Sequence, residues 1–389
     1  MNKPRILLGH VANARAYTDE WAAARLYHQR LRDAGFDVEG FCLTLNPPGP
    51  ALGFRELDDR WKRGDRELLS MYERLESRLD GKDVLLNESG INLHPRFVER
   101  LGVFTVYQCF DDIGGGLHPD LTAPAAHAYD LCLTGNAAEV DTYKQAGIRN
   151  VEWTPLGLFP GTYDETLTFE AIIAEPRDID LFMLIDRLSP HFDRPARLQV
   201  LAEAFPNAHF YGKGWPRGFL PDGRQLELLR RAKIGPNVHL KTGPLNFRTY
   251  QLPANGVMQI CDNKSHLRVV FEPGREIVGF DTMAECVDLC RYFLAHDEER
   301  RLIAANGWKR AVTQYNEVAV FQSKVNAISR YIGQSLPKAA VAGISRKQRQ
   351  ATRWPRLKHR VPSGVKRVFR PMLVPLKRLV ERTLVRFRA

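Results

Sequence analysis

The chain predicts an α/β protein made of two doubly wound parallel-sheet domains in series, followed by a basic tail. Three observations carry that reading. Short apolar runs of strand length alternate with amphipathic helical stretches, the pattern of parallel sheets flanked by helices. The chain has 389 residues, 44% of them hydrophobic, enough for two ordinary cores. Near the middle, PLGLFPGTYDET concentrates turn residues and interrupts the alternation, which sets a boundary between Thr154 and Thr168.

The first domain is placed at 1–155. Its predicted strands are Ile6–Val11, Val38–Leu43, Val84–Asn87, Val103–Gln108, Leu131–Thr134 and Val151–Thr154. Helices are expected near 17–34, 65–80, 94–101 and 136–146, and the three prolines and glycine of Asn46–Pro50 mark a loop. The second domain is placed at 156–317, with strands at Ile179–Ile185 and near 207–211, 237–240, 257–260 and 276–279. Within it, NFRTYQLPANG reads as a short helix beginning near Asn246. Gly256 closes that helix, because glycine accepts the left-handed backbone found just past a helix end. Residues 283–316 read as two amphipathic helices broken near Ala295–Glu298, and a further helix covers 318–336. Residues 337–389 form the tail.

Charge is divided unevenly. From Lys338 to Ala389 there are 16 Lys/Arg against one acid, Glu381, which leaves 40 basic and 44 acidic side chains in the rest of the chain. The net charge of +11 therefore describes a mildly acidic body with a basic tail. A body of that sign, without a basic stripe interleaved with aromatics, argues against nucleic acid as a partner. The six cysteines form no CxxC pair, so reduced core thiols are expected rather than a zinc site or a disulfide framework. The opening residues run straight into a strand and do not resemble a signal peptide. No apolar run approaches the ~20 residues needed to span a bilayer.

Two such domains in series put a ligand-binding cleft outside the carboxyl ends of both sheets. Neither GxGxxG nor GxxxxGK[ST] occurs, and Gly114–Gly116 is followed by a proline-containing segment rather than a helix, so a dinucleotide fingerprint and a Walker loop are both excluded. The second domain does carry residues suited to a nucleoside diphosphate, which calls for backbone N–H groups at a helix start and one or two cations. Arg248 lies in the first turn of the helix that begins near Asn246. Lys213 sits in YGKGW, whose glycines let the backbone approach a ligand.

FRTYQLPANG followed by FEPGREIV resembles the donor half of a GT-B glycosyltransferase, group-one type, in the spore-maturation-protein-like branch. YGKGW is similar to a Tyr-Gly-x-Gly-Trp segment of that family, and Arg194, opening RPARLQVLAEAF, matches a family arginine. The resemblance is good over 178–315. It implies a transferase that moves a sugar from a nucleotide diphosphate to a glycan or lipid-linked acceptor. Arg194, Lys213, Asn246, Arg248, Gln251 and Gly256 would form the donor site. It also implies no bound metal or other cofactor, with cationic side chains stabilising the leaving diphosphate. One position departs from the family: Gln251 stands where a Glu usually accepts hydrogen bonds from the ribose. An amide offers one acceptor and two donors where a carboxylate only accepts.

A general base near the acceptor hydroxyl is needed for inversion. Polar residues at strand ends of the first domain supply four candidates: His10, Glu88, Asp111 and Asp112, with the Asp pair matching the family's placement after the fourth strand. Each is also the kind of residue that caps a helix or ties down a loop. In the tail, Leu376, Leu379, Val380, Thr383, Leu384 and Phe387 recur at helical spacing, with Lys377, Arg378, Arg382, Arg386 and Arg388 on the remaining arc. A basic amphipathic helix of this kind lies in the headgroup region of an anionic membrane. That places the chain in the cytoplasm, on the inner face of the cytoplasmic membrane, through contacts of Lys377, Arg378, Leu379, Arg382 and Phe387. The rival readings are a non-catalytic binding protein of the same architecture, supported by Gln251, and a nucleic-acid binder acting through its tail.

Overall fold

The computed structural model describes residues 3–10, 17–45, 52–88, 90–109, 123–185, 194–239, 246–262 and 264–334, all within one unit, Met1–Lys338. The predicted tail helix and its membrane-contact residues, from Lys377 to Phe387, lie outside the described residues.

The first half runs β1 (Ile6–His10), α1 (Tyr17–Asp33), β2 (Val38–Cys42), α2 (Phe54–Lys62), α3 (Arg66–Arg78), β3 (Val84–Asn87), α4 (Pro95–Val98), β4 (Phe104–Cys109), α5 (Ala123–Ala126), β5 (Leu131–Thr134), α6 (Val140–Gln145) and β6 (Val151–Trp153). These strands form a sheet in the order β2-β1-β3-β4-β5-β6, parallel throughout. The second half runs α7 (Phe169–Ala174), β7 (Ile179–Leu184), α8 (Arg194–Ala204), β8 (His209–Tyr211), α9 (Gln225–Arg231), β9 (Ala232–Asn237), α10 (Arg248–Ala254), β10 (Met258–Cys261), α11 (Lys264–Leu267), β11 (Val278–Gly279), α12 (Met283–Ala295), α13 (Asp297–Gln314) and α14 (Glu317–Tyr331). Its sheet is again parallel, ordered β11-β10-β9-β7-β8. Both sheets reverse their winding direction after the second strand, between β1 and β3 in one and between β7 and β9 in the other. Such a reversal opens a crevice beyond the carboxyl ends of the two central strands.

Strand alternation divides the first core into two layers. Leu7, Leu85 and Tyr107 face a cluster that includes Leu68, Met71 and Tyr72 of α3 and Phe97 of α4. Ile6, Leu8, Val84, Leu86 and Val106 face Tyr27 and Leu31 of α1 together with Phe321, Val325 and Ile328 of α14. The last helix thus returns from the second sheet to cover the first. The connecting segment meets it on the way: Leu158 donates its backbone N–H to the Tyr315 carbonyl (2.7 Å).

Several elements differ from the sequence expectation. The strand expected near 237–240 is β9, Ala232–Asn237, displaced because Gly235-Pro236 reads as a turn. Pro236 nonetheless pairs with Ile260 inside the sheet. Gly235 is pressed so close to Leu252 that a Cβ there would lie 2.9 Å from its methyl groups. Helices α2, α7 and α9 are additional, and α4 is shorter than expected. In α2 only Leu57 is buried, too thin an apolar stripe to announce a helix.

Candidate active site

The reversal point of the second sheet gathers a dense polar cluster. Asn237, at the end of β9, is fully buried and donates from Nδ2 to Gln259 Oε1 (2.7 Å) and Asn246 Oδ1 (3.1 Å). Its Oδ1 accepts from Asn246 Nδ2 (3.0 Å) and from Arg248 Nε (3.2 Å). Two residues on, His239 is buried and its Nδ1 bonds the carboxylate of Asp262, which follows β10. Asn246 donates its N–H to His239 Nε2 (3.1 Å), which fixes the tautomer: Nδ1 carries the hydrogen and Asp262 accepts it. Asp262 also receives Arg197 from α8 (3.0 Å) and the His239 backbone N–H (2.9 Å). Burial pushes the His239 ring below its usual value, against the opposing pull of Asp262, so the imidazole is neutral.

That scaffold holds two guanidiniums at one place. Arg194, buried at the start of α8, and Arg248, at the start of α10, each act on the other electrostatically. Burial first, and the Arg194 charge second, lower Arg248 to about 10. Among the described residues Arg248 has no carboxylate partner, and its only hydrogen bond is to the neutral Asn237 amide. The Asp262 charge opposes that lowering without forming an ion pair with Arg248, and an incoming anion would relieve the remaining like-charge cost. The first amides of α10 are already occupied: Thr249 N–H is capped by Asn246 Oδ1 (3.2 Å) and Tyr250 N–H bonds the Phe247 carbonyl (3.1 Å). That leaves the two guanidiniums as the cationic groups suited to an anion here.

The other donor candidates are dispersed. Lys213 is exposed on the turn after β8. Gly256 has φ +66° and closes α10 as expected, pressed against Arg177 and Ile172. Gln251 is buried: its Nε2 donates to the Thr162 carbonyl (3.2 Å) and its Oε1 accepts from Gln225 (3.2 Å), so both ends tie α10 to neighbouring segments. His239, Cys261 and Asp262 place potential metal-ligating atoms within 4.8 Å of one another. Both His239 nitrogens and the Asp262 carboxylate are committed to the bonds above, which accounts for that grouping without a metal.

The reversal point of the first sheet is built on a different plan. Glu88, just past β3, is buried and pairs with Lys324 of α14 (2.9 Å), while Tyr27 of α1 donates its hydroxyl to the same oxygen (3.2 Å). Burial alone would raise the Glu88 carboxyl, but the Lys324 charge and hydrogen bond outweigh it and the carboxyl stays below its usual range. His10, the last residue of β1, stands with its ring 5.4 Å from that of His28 in α1. Burial lowers both imidazoles, His28 to about 4, so both are neutral near pH 7. The structure thus brings His10 and Glu88 together around one ion pair. Asp111 and Asp112, the third and fourth base candidates, lie outside the described residues.

The two clusters are linked by a run of aromatic rings in edge-to-face and tilted contact. Tyr27 meets Phe159 of the connecting segment at 5.8 Å, and Phe159 meets Phe247, the residue before Arg248, at 5.8 Å.

Residues 194–323 match the family model described as glycosyl transferase-like. The second sheet's cluster lies within that match. This region is similar to glycosyl transferase-like proteins. The whole fold agrees with it. The chain is similar to a glycosyltransferase from Rickettsia africae (TM-score 0.57, 10% identity, 86% of this chain and 100% of the other). It is similar to the Anabaena protein HepE in complex with UDP (0.54, 13%, 84% and 100%) and to sucrose-phosphate synthase from Thermosynechococcus elongatus (0.56, 12%, 85% and 99%). No curated protein matches the chain in sequence. At these identities the structures establish the fold, two parallel-sheet α/β domains of the GT-B kind. The family match adds a sequence similarity to glycosyl transferase-like proteins over residues 194–323.

Asn237, His239, Arg197 and Asp262 escaped the sequence reading. Placing a strand at 237–240 put His239 inside the sheet rather than beyond its carboxyl edge, where the rule for open α/β sheets would have flagged it. His28 and Lys324 sit inside helices and gave no local signal.

Proposed function

We propose that the chain is a glycosyltransferase that moves a sugar from a nucleoside diphosphate donor to a glycan or lipid-linked acceptor. The observation that carries this reading is the Arg194–Arg248 pair, two buried cations at the reversal point of a glycosyl transferase-like domain. The α- and β-phosphates would sit against the two guanidiniums, with Lys213 reaching from the turn after β8. Asn246 and Asn237 orient Arg248, and the His239–Asp262–Arg197 network ties the end of β9 to β10, α8 and Asn246. As the sugar–phosphate bond breaks, charge develops on the leaving diphosphate, and cations already desolvated and in place stabilise it. These side chains can do that work without a metal. That HepE has been crystallised with UDP supports a uridine nucleotide as the first donor to test.

The acceptor belongs to the first domain in this reading. Neutral His10 is the described residue best suited to take the acceptor proton, since a base must be unprotonated at working pH. Glu88 is spoken for by Lys324 and Tyr27 and serves to hold the acceptor side. The FRTYQLPANG and FEPGREIV motifs support the spore-maturation-protein-like branch, and the basic tail supports a site of action on the inner face of the cytoplasmic membrane. The second reading, a binding protein that has lost catalysis, rests on Gln251, whose amide is engaged with Thr162 and Gln225.

Incubating the purified protein with a panel of nucleotide sugars, and measuring nucleotide release by mass spectrometry, tests the reading. Release of UDP or GDP from one donor, abolished in Arg248→Ala, is expected. Tight nucleotide binding with no turnover of any donor would favour the non-catalytic alternative.

A further inference from the structure

A cavity of about 180 Å³ opens beside His10, lined by Ala24, Arg25, His28 and Arg32 of α1, by His10 of β1 and by Gly40 of β2. It is too small for a whole nucleotide or glycan, which need roughly 300 Å³ or more. It is large enough for one functional group and its water. We propose that it seats an anionic group, a phosphate or a carboxylate, carried by the acceptor; this rests on the reading of the first domain as the acceptor half.

The lining chemistry selects for negative charge. Arg25, His28 and Arg32 follow one another at i, i+3 and i+7, so they share one face of α1. Both arginine heads reach the exposed surface at the cavity. The one carboxylate that acts on His28, Glu88, is itself matched by Lys324. His28 is only 6% exposed, and its ring makes no hydrogen bond among the described residues. Its ring faces the cavity, which is the side from which an acceptor oxygen can arrive. The backbone is shaped to keep that ring there. A Cβ on Gly40 would lie 2.3 Å from His28 Cε1, so any other residue at position 40 would displace the imidazole.

Seating the anion here places the acceptor beside His10, whose ring is 5.4 Å from that of His28. The anionic group would act as a handle that positions a hydroxyl elsewhere on the same molecule against the His10 base. It would also discriminate against neutral acceptors, which leave His28 and the arginines uncompensated.

The test is a titration of the full-length protein at constant pH with inorganic phosphate and, separately, acetate, read by long-range nitrogen–proton NMR of the histidine rings. The His10 and His28 signals, assigned with His10→Gln, should shift saturably with at least one of the two anions. Which anion binds more tightly distinguishes a phosphate handle from a carboxylate one. In the surface variant Arg25→Gln/Arg32→Gln the affinity should fall roughly ten- to a hundredfold, while UDP affinity stays unchanged. Unmoved ring signals with both anions, or a response that survives the double substitution, would overturn the proposal. Loss of UDP binding in the wild-type protein would instead count against the donor reading and leave the ring response to be read on its own.

Discussion

The two sheets wind the same way and open equivalent crevices, yet they fill them with opposite electrostatics. At the first reversal point the buried charges are matched: Glu88 meets Lys324 and Tyr27 within 3.2 Å. At the second, Arg194 and Arg248 stand together, and Arg248 has no carboxylate partner among the described residues. Removing one member of a buried pair leaves a buried charge unmatched, whereas two neighbouring guanidiniums gain from an anion of the opposite sign. In the proposed reading, the first crevice holds the fold together and the second captures the anion. Both depend on the same chain segments, because α14 supplies Lys324 to the first sheet after the chain has completed the second.

The largest effect should come from breaking the matched pair. Lys324→Met leaves Glu88 buried without a counter-charge and should cost about 3–5 kcal/mol in denaturant unfolding. Glu88→Gln added to it should recover much of that loss, as expected for directly coupled neighbours. UDP affinity of the folded fraction should be untouched. A cost below about 1 kcal/mol for Lys324→Met would show that the first crevice is not held by this pair.

A smaller effect is expected in pH. His28 is neutral in the fold, lowered to about 4 mainly by burial, whereas an unfolded histidine titrates near 6.5. The unfolded chain therefore binds the proton first, and stability falls as pH drops from about 6.5 to 4, by at most about 3 kcal/mol. The facing groups are Glu88, which opposes the shift, and His10 and Arg32, which reinforce it. Glu88 adds its own loss only at lower pH, as the medium passes below the usual carboxylate range. His28→Gln should make the profile shallower between pH 6.5 and 4 without altering it above, the remaining slope coming from other histidines lowered by burial, His10 and His239 among them. An unchanged slope in the variant would mean that another group carries the dependence.

The smallest effect concerns Gln251. Changing it to Glu removes the donor to the Thr162 carbonyl and turns a carboxylate toward that oxygen, at a cost of about 1 kcal/mol. That corresponds to a melting-temperature loss of roughly 2 °C. Tighter UDP binding in this variant, with no loss of melting temperature, would instead make residue 251 a ribose contact.

The fold was largely legible because parallel strands buried on both faces announce themselves as apolar runs, as in VLLN at β3 and LCLT at β5. Gly256 was legible for a local reason, its left-handed backbone after α10. The β9 strand was not, since Gly235-Pro236 signals a turn and only tertiary packing overrides it. The candidate site divides along the same line. Arg194 and Arg248 could be found because a family motif surrounds them. Glu88 was found by its place after a strand, but its partner Lys324 lies 236 residues away, and nothing local in the helix EVAVFQSKVNAISRY marks that lysine as buried. His239 was hidden by the misplaced strand, and Asp262, just past the correctly placed β10, carries no mark of its partners in the local sequence.

Titration calorimetry of UDP into the wild-type protein, Arg194→Ala, Arg248→Ala and His10→Gln tests the division of labour most directly. Each arginine variant should lose roughly ten- to a hundredfold in affinity, the value of one charge-assisted contact of about 1.5–3 kcal/mol. His10→Gln should bind UDP as the wild type does, and melting temperatures of the ligand-free arginine variants should stay level or rise as the like-charge repulsion is relieved. Equal UDP affinity across all four proteins, or a loss confined to His10→Gln, would contradict the assignment of anion capture to the second sheet.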